Sequence, residues 1–61
     1  MEKSTFEIMR DYIREIMPDY IDPKTGECNL TLVEEDVLDH FGTTDQDAVS
    51  WQVWLVYDQS H

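Results

Sequence analysis

The stretch Asp45–Tyr57, DQDAVSWQVWLVY, decides the fold of this 61-residue chain. It contains both tryptophans, three of the five valines and the longest apolar run, Val53–Tyr57. It has no lysine or arginine, and most of it is too apolar to remain in water. We therefore expect the other segments of the chain to pack around it.

Two features of this stretch predict different secondary structures. Thr43 and Thr44, followed by Asp45 and Asp47, are typical of a helix start, because threonine caps a helix and acids suit its positive end. The β-branched and aromatic residues that follow favour a strand with alternate side chains on one face. We predict a helix over about 45–58. The alternative is an α+β fold in which residues 49–57 form a strand paired to residues 27–32.

An amphipathic pattern predicts a first helix over about 5–17. Ser4 and Glu7 have the spacing of a capping box, and Pro18 ends the helix near Met17. The polar face is expected to be a solvated surface. It carries two i,i+3 pairs of opposite charge: Glu7 with Arg10, and Asp11 with Arg14.

A second helix is predicted over about 32–41, with Thr31 and Glu34 as its capping box and Gly42 after its end. The run Asp22-Pro23-Lys24-Thr25-Gly26 predicts a type I turn that closes a short hairpin between the first two helices. The predicted architecture is a single small all-α domain of three helices, with a Pro/Gly turn between helices 1 and 2.

Charge is the strongest signal in the composition. Fourteen acidic and four basic residues give a net charge of −10, and neither lysine nor arginine occurs after Lys24. Such a field favours basic partners and repels nucleic acid and anionic membranes. Gly42 and the run Ala48-Val49-Ser50 superficially resemble a helix-turn-helix. The spacing is about one residue too long, however, and the second helix would present acids where DNA reading needs Arg or Lys.

Residues for chemistry are sparse. Cys28 is the single cysteine, so an intrachain disulfide is excluded. Asp36 and His40 stand at i,i+4, but no metal-binding spacing joins them to Cys28, so we expect a surface ion pair at a helix end and no metal site. Cys28 and His40 have no orienting motif for catalysis, and no Gly-rich phosphate loop is present. We expect no enzyme activity and no cofactor.

The N-terminal residues have no continuous apolar core of a signal peptide, and the longest apolar run, of five residues, is far too short to span a bilayer. The sequence therefore predicts a cytoplasmic protein.

Two functional hypotheses remain. In the first, an acidic protein-binding protein docks on a basic nucleic-acid-binding surface as a DNA mimic, and in size and charge it resembles small phage-encoded anti-defence inhibitors. Its acidic face would be Glu35, Asp36, Asp39, Asp45 and Asp47, and its apolar anchor Trp51, Trp54 and Tyr57. In the second, the chain is a structural or assembly module that forms a homodimer or larger homo-oligomer through Trp51–Tyr57.

Overall fold

Three α-helices form in the computed structural model, which describes residues 3–59. They are α1 (Thr5–Ile16), α2 (Leu30–Phe41) and α3 (Gln46–Gln59). A 3₁₀ turn, Met17–Tyr20, follows α1. Within the described residues, extended pairing is limited to one isolated antiparallel bridge between Ile21 and Cys28. The prediction of an all-α three-helix domain is confirmed, and the alternative strand over 49–57 is wrong.

The helix caps agree in part with the predicted ones. Ser4 caps α1 as predicted, since its hydroxyl accepts a 3.2 Å hydrogen bond from the amide of Glu7. Pro18 lies in the 3₁₀ turn, and α1 ends just before that turn. Gly42 has the left-handed φ of 61° and ends α2, as expected of a residue without a Cβ.

The caps predicted from threonine are wrong for α2 and α3. Asn29 caps α2, and its side-chain oxygen accepts a 3.2 Å hydrogen bond from the amide of Leu32. The helix consequently starts before Thr31. Asp45 caps α3 by accepting a 3.2 Å hydrogen bond from the amide of Ala48. In both places Asn or Asp, which cap better than threonine, is used instead.

The connector between α1 and α2 folds back on itself. The amide of Gly26 donates a 2.7 Å hydrogen bond to the carbonyl of Asp22, and the amide of Asp22 donates a 2.8 Å bond to the carbonyl of Glu27. Gly26 has a φ of 75°, which a residue with a side chain rarely adopts. This turn and the Ile21–Cys28 bridge bring the start of α2 back beside the end of α1.

The core is small and built mainly from valine. α3 packs against both α1 and α2. Within residues 3–59, eight apolar side chains form the buried core: Met9, Ile13, Met17, Val33, Val37, Val49, Val53 and Val56. Valine supplies five of these eight side chains, whereas the bulkiest side chains of α3, Trp51 and Trp54, are exposed.

The polar face of α1 is largely exposed, as predicted, but it also carries contacts with α3. Asp11 and Arg14 form the expected ion pair at 3.1 Å. Arg10 instead turns toward α3, where its guanidinium donates a 2.6 Å hydrogen bond to Oε1 of Gln52. Arg14 also reaches α3 and donates to Oε1 of Gln59 at 3.2 Å. This face of α1 therefore carries polar links between helices, which a single helical wheel cannot reveal.

Candidate functional site

The third helix carries apolar side chains on two opposite sides. Its inner side is buried and repeats at i, i+3, i+4 and i+7: Val49, Gln52, Val53 and Val56. A second row with the same spacing, Trp51, Trp54, Leu55 and Asp58, lies about half a turn around the helix. Trp51 is 67% exposed and Trp54 is 54% exposed. The largest apolar side chains of the chain thus face solvent.

Acidic residues stand at both ends of this outward row. Asp47 lies one turn before Trp51 and Asp58 one turn after Trp54, and both are exposed. We call the row Asp47, Trp51, Trp54, Leu55 and Asp58 the outer stripe. At a rise of 1.5 Å per residue it is about 16 Å long. Four of its members line a shallow open depression of about 190 Å³: Trp51, Trp54, Leu55 and Asp58.

Tyr57 joins the outer stripe to the core. Its ring meets the ring of Trp54 edge to face, with centroids 5.8 Å apart and planes at 87°. Tyr57 is itself half-buried and packs against the core. This aromatic contact restricts the orientation of the Trp54 indole. Of the three predicted anchor residues, Trp51 and Trp54 are exposed, whereas Tyr57 is half-buried and contacts Trp54.

The predicted acidic face is divided by the structure into exposed and structural carboxylates. Glu35, Asp39, Asp45 and Asp47 are exposed. Oδ1 of Asp45 also caps α3. Asp36 is half-buried, and both of its oxygens accept hydrogen bonds from tyrosines. The five residues therefore do not form a uniform set of free carboxylates.

Asp36 acts as a clamp between three elements. Its Oδ1 accepts a 2.6 Å hydrogen bond from the hydroxyl of Tyr12 on α1, and its Oδ2 accepts one from the hydroxyl of Tyr20 in the 3₁₀ turn. These two bonds hold the pKa of Asp36 below its usual value of 3.8. The hydrogen bond from Tyr12 to Asp36, together with burial and the negative charge of that carboxylate, raises the pKa of Tyr12 to about 12.

The predicted ion pair between Asp36 and His40 is wrong for the described residues. The ring of His40 instead stacks on the ring of Tyr12, with centroids 3.9 Å apart and planes at 11°. Electrostatic attraction to His40 is nevertheless a minor cause of the lowered pKa of Asp36. Sequence reasoning missed the Tyr12–Asp36–Tyr20 cluster because its members come from three elements whose packing was unknown. The signal available in the sequence was Tyr12 on the apolar face of the first helix, because a buried tyrosine hydroxyl needs an acceptor such as an acid of α2.

Cys28 lies in the connector and is half-buried. Burial raises the pKa of its thiol, which keeps it in the protonated, weakly nucleophilic form at neutral pH. Within residues 3–59, no three His, Cys, Asp or Glu side chains are grouped so as to hold a metal ion. None of the helices in this part of the chain is long and apolar enough to cross a membrane.

Comparisons with protein-family models, with curated proteins and with solved structures found no match for this chain. Its function is therefore inferred from the chemistry of its own residues, of which the outer stripe is the most informative.

Proposed function

We propose that this chain is a non-enzymatic, acidic protein-binding protein whose outer stripe docks on a basic surface of another protein. The observation that carries the proposal is the exposed pair Trp51 and Trp54, placed in one row with Asp47 and Asp58 at its ends. The pair lies on a helix whose other side is fully used by the core.

The indoles provide the binding energy in this proposal. Tryptophan is among the residues that dominate the energetics of protein interfaces, since it removes a large apolar area from water when a partner covers it. Trp51, Trp54 and Leu55 are contiguous on the helix surface, and contiguous exposed apolar surface is typical of interaction sites. Core packing does not explain them, because the core is completed by smaller residues on the opposite side of α3.

Charge selects the partner. The net charge is −10, and all the lysines and arginines lie within the first 24 residues. Asp47 and Asp58 place negative charge beside the apolar centre of the stripe. A partner with lysines or arginines around an apolar patch complements this arrangement, and long-range attraction increases its rate of association.

The sharper form of the proposal is an inhibitor that occupies a nucleic-acid-binding surface. Exposed carboxylates on α2, Glu35 and Asp39, together with Asp47, would take the places of backbone phosphates. Asp36 adds to the negative field, but both of its oxygens already accept hydrogen bonds within the domain. Asp45 is exposed, and its Oδ1 is engaged in the cap of α3. The charged contacts of such a mimic would therefore come mainly from Glu35, Asp39 and Asp47, with the indoles as the anchor.

The second candidate function is a homo-oligomer that associates through Trp51–Tyr57, and the same exposed indoles favour it. Charge opposes it. In a two-fold dimer with antiparallel α3 helices, Asp47 of one copy would face Asp58 of the other. With parallel helices each aspartate would face its own counterpart. Like charges meet in either arrangement, so a basic partner fits the outer stripe better.

The test is a capture experiment with three baits at low and moderate salt. The baits are the native chain, Trp51→Ser/Trp54→Ser, and a control, Phe6→Ser/Ile8→Ser, which removes apolar residues of α1 that are 47% and 48% exposed. We expect basic proteins to be retained by the native and control baits, to be lost from the tryptophan variant, and to elute at moderate salt.

Equal recovery from all three baits would show that the outer stripe is not the binding surface. Recovery of no basic protein from any bait would contradict the proposal as a whole. Sedimentation of the native chain over a range of concentrations tests the second candidate, because a homo-oligomer must dissociate on dilution.

A further inference from the structure

We infer that the partner presents a basic amphipathic helix to the outer stripe, and that this helix packs lengthwise along α3. The inference rests on the proposed function and specifies the occupant of the site. Three properties of the stripe carry it: its area, its shape and the positions of its charges.

The area suits a single helix better than a whole domain face. The exposed parts of two indoles offer on the order of 300 Å². A standard protein interface buries about 800 Å² on each partner. An occupant that makes its apolar contacts with the outer stripe alone is therefore narrow, with the dimensions of one secondary-structure element.

The shape selects a helix. The stripe runs along α3 with side chains at helical spacing, and the depression that they line is shallow and open. The backbone of α3 is hydrogen-bonded within the helix and offers no edge to which a strand could pair. Ridges at this spacing interdigitate with the grooves of another helix. Trp51, Trp54 and Leu55 would be the apolar contacts of that packing.

The charges define the sequence of the occupant. Along the stripe an aspartate comes first, then a tryptophan, then a tryptophan beside a leucine, and then a second aspartate. Each step covers about one helical turn: Asp47, Trp51, Trp54, Leu55 and Asp58. A partner helix that runs along the whole stripe contacts it with residues at the same sequence intervals. The complementary pattern is Lys-x₃-Leu-x₂-Leu-Leu-x₂-Lys, where x is a neutral helix-forming residue. A second copy of this chain lacks such a pattern: Lys3 and Arg14 have the spacing of the two lysines, but the positions between them that should be apolar are Glu7, Arg10 and Asp11.

The test uses a synthetic, tryptophan-free peptide built on this pattern and a scrambled peptide of identical composition. Both tryptophans of the chain lie in the outer stripe, so their emission reports on this site alone. We expect the patterned peptide to shift that emission to shorter wavelength and to become helical on binding, since a short peptide is mostly unfolded when free. The scrambled peptide should do neither.

Two charge-reversal variants locate the binding site. Asp47→Lys/Asp58→Lys removes both acids of the stripe, and Glu35→Lys/Asp39→Lys changes the net charge by the same amount on α2. We expect about a tenfold loss of affinity in the first variant and much less in the second, because only the first removes contacts with the peptide lysines. Asp47→Asn/Asp58→Asn should fall between the native chain and the first variant. Thermal unfolding of each variant checks that the domain is intact.

Equal binding of the scrambled peptide would overturn the inference, because it would reveal general attraction between opposite charges. A larger loss in the α2 variant than in the stripe variant would overturn it too. The proposed function could survive that result through the exposed acids of α2. Tighter binding of a proline-rich basic peptide, or self-association that Trp51→Ser/Trp54→Ser abolishes, would assign the stripe to a different occupant.

Discussion

The guanidinium of Arg10 on α1 donates a 2.6 Å hydrogen bond to Oε1 of Gln52, a polar side chain on the buried side of α3 that is only 6% exposed. The bond has a consequence for the exposed site. Because α3 has apolar side chains on two sides, hydrophobic burial alone distinguishes weakly between its two orientations. A buried polar group that must keep its partner favours the orientation in which Gln52 faces inward and the tryptophans face outward.

Replacing Gln52 tests this role. In Gln52→Leu the volume is nearly conserved, but the partly buried guanidinium of Arg10 loses its acceptor. We expect the free energy of unfolding to fall by about 1–2 kcal/mol, measured by urea denaturation. The double variant Arg10→Met/Gln52→Leu should recover part of this loss, since no buried donor is then left without a partner. If Gln52→Leu is as stable as the native chain, the hydrogen bond does not fix the orientation of α3.

The Asp36 clamp makes a second prediction about stability. Asp36→Ala removes the acceptor of two tyrosine hydroxyls that come from α1 and from the 3₁₀ turn. We expect the free energy of unfolding to fall by about 1–2 kcal/mol, the lower part of the range for hydrogen bonds to a charged group, because the site is only half-buried. The matched control is Asp39→Ala on the exposed side of the same helix, which should change stability by less than about 0.5 kcal/mol. Equal effects of the two substitutions would contradict a structural role for Asp36.

The same clamp predicts how stability depends on pH. The pKa of Tyr12 is raised from 10.0 to about 12, so its contribution is complete below pH 10 and is lost as the pH rises toward 12. The pKa of Asp36 is lowered from 3.8, so its contribution is present above that pH and is lost as the pH falls further. Tyr12→Phe should be less stable than the native chain at neutral pH, and the difference should shrink above pH 10. Absorbance of the tyrosinate form provides an independent titration. A native chain in which no tyrosine titrates above the usual midpoint of about 10 would contradict the clamp.

The sequence predicts the helices better than it predicts their contacts. Helical periodicity and Pro18 place α1, and the left-handed preference of Gly42 ends α2, because these are local properties of the backbone. The predicted start of α2 is too late, since Asn29 and Thr31 both suit a cap and the local sequence does not distinguish them.

The sequence predicts which residues belong to the candidate site, but it does not predict which side of α3 faces solvent. The wheel of α3 is apolar on both sides, so it does not say whether the tryptophans or the valines face the core. That choice depends on the small space between α1 and α2, which accepts valine, and on the position of Arg10. The sequence also did not reveal that Asp36 is only half exposed. The two tyrosines that donate hydrogen bonds to it come close only in the folded domain.

The outward position of the tryptophans gives the most direct prediction. Val53 is fully buried, whereas Trp51 and Trp54 are more than half exposed. Val53→Ala should lower the free energy of unfolding by about 2 kcal/mol through lost burial and a cavity. Trp51→Ser should lower it by less than about 0.5 kcal/mol, as for other surface changes. Trp54→Ser should have a slightly larger effect, because it also removes the edge contact with Tyr57. Thermal unfolding separates these cases, since 1 kcal/mol shifts the midpoint by about 4–8 °C in a domain of this size. If either tryptophan variant is less stable than Val53→Ala, the indoles support the fold and the outer stripe is not a surface kept for a partner.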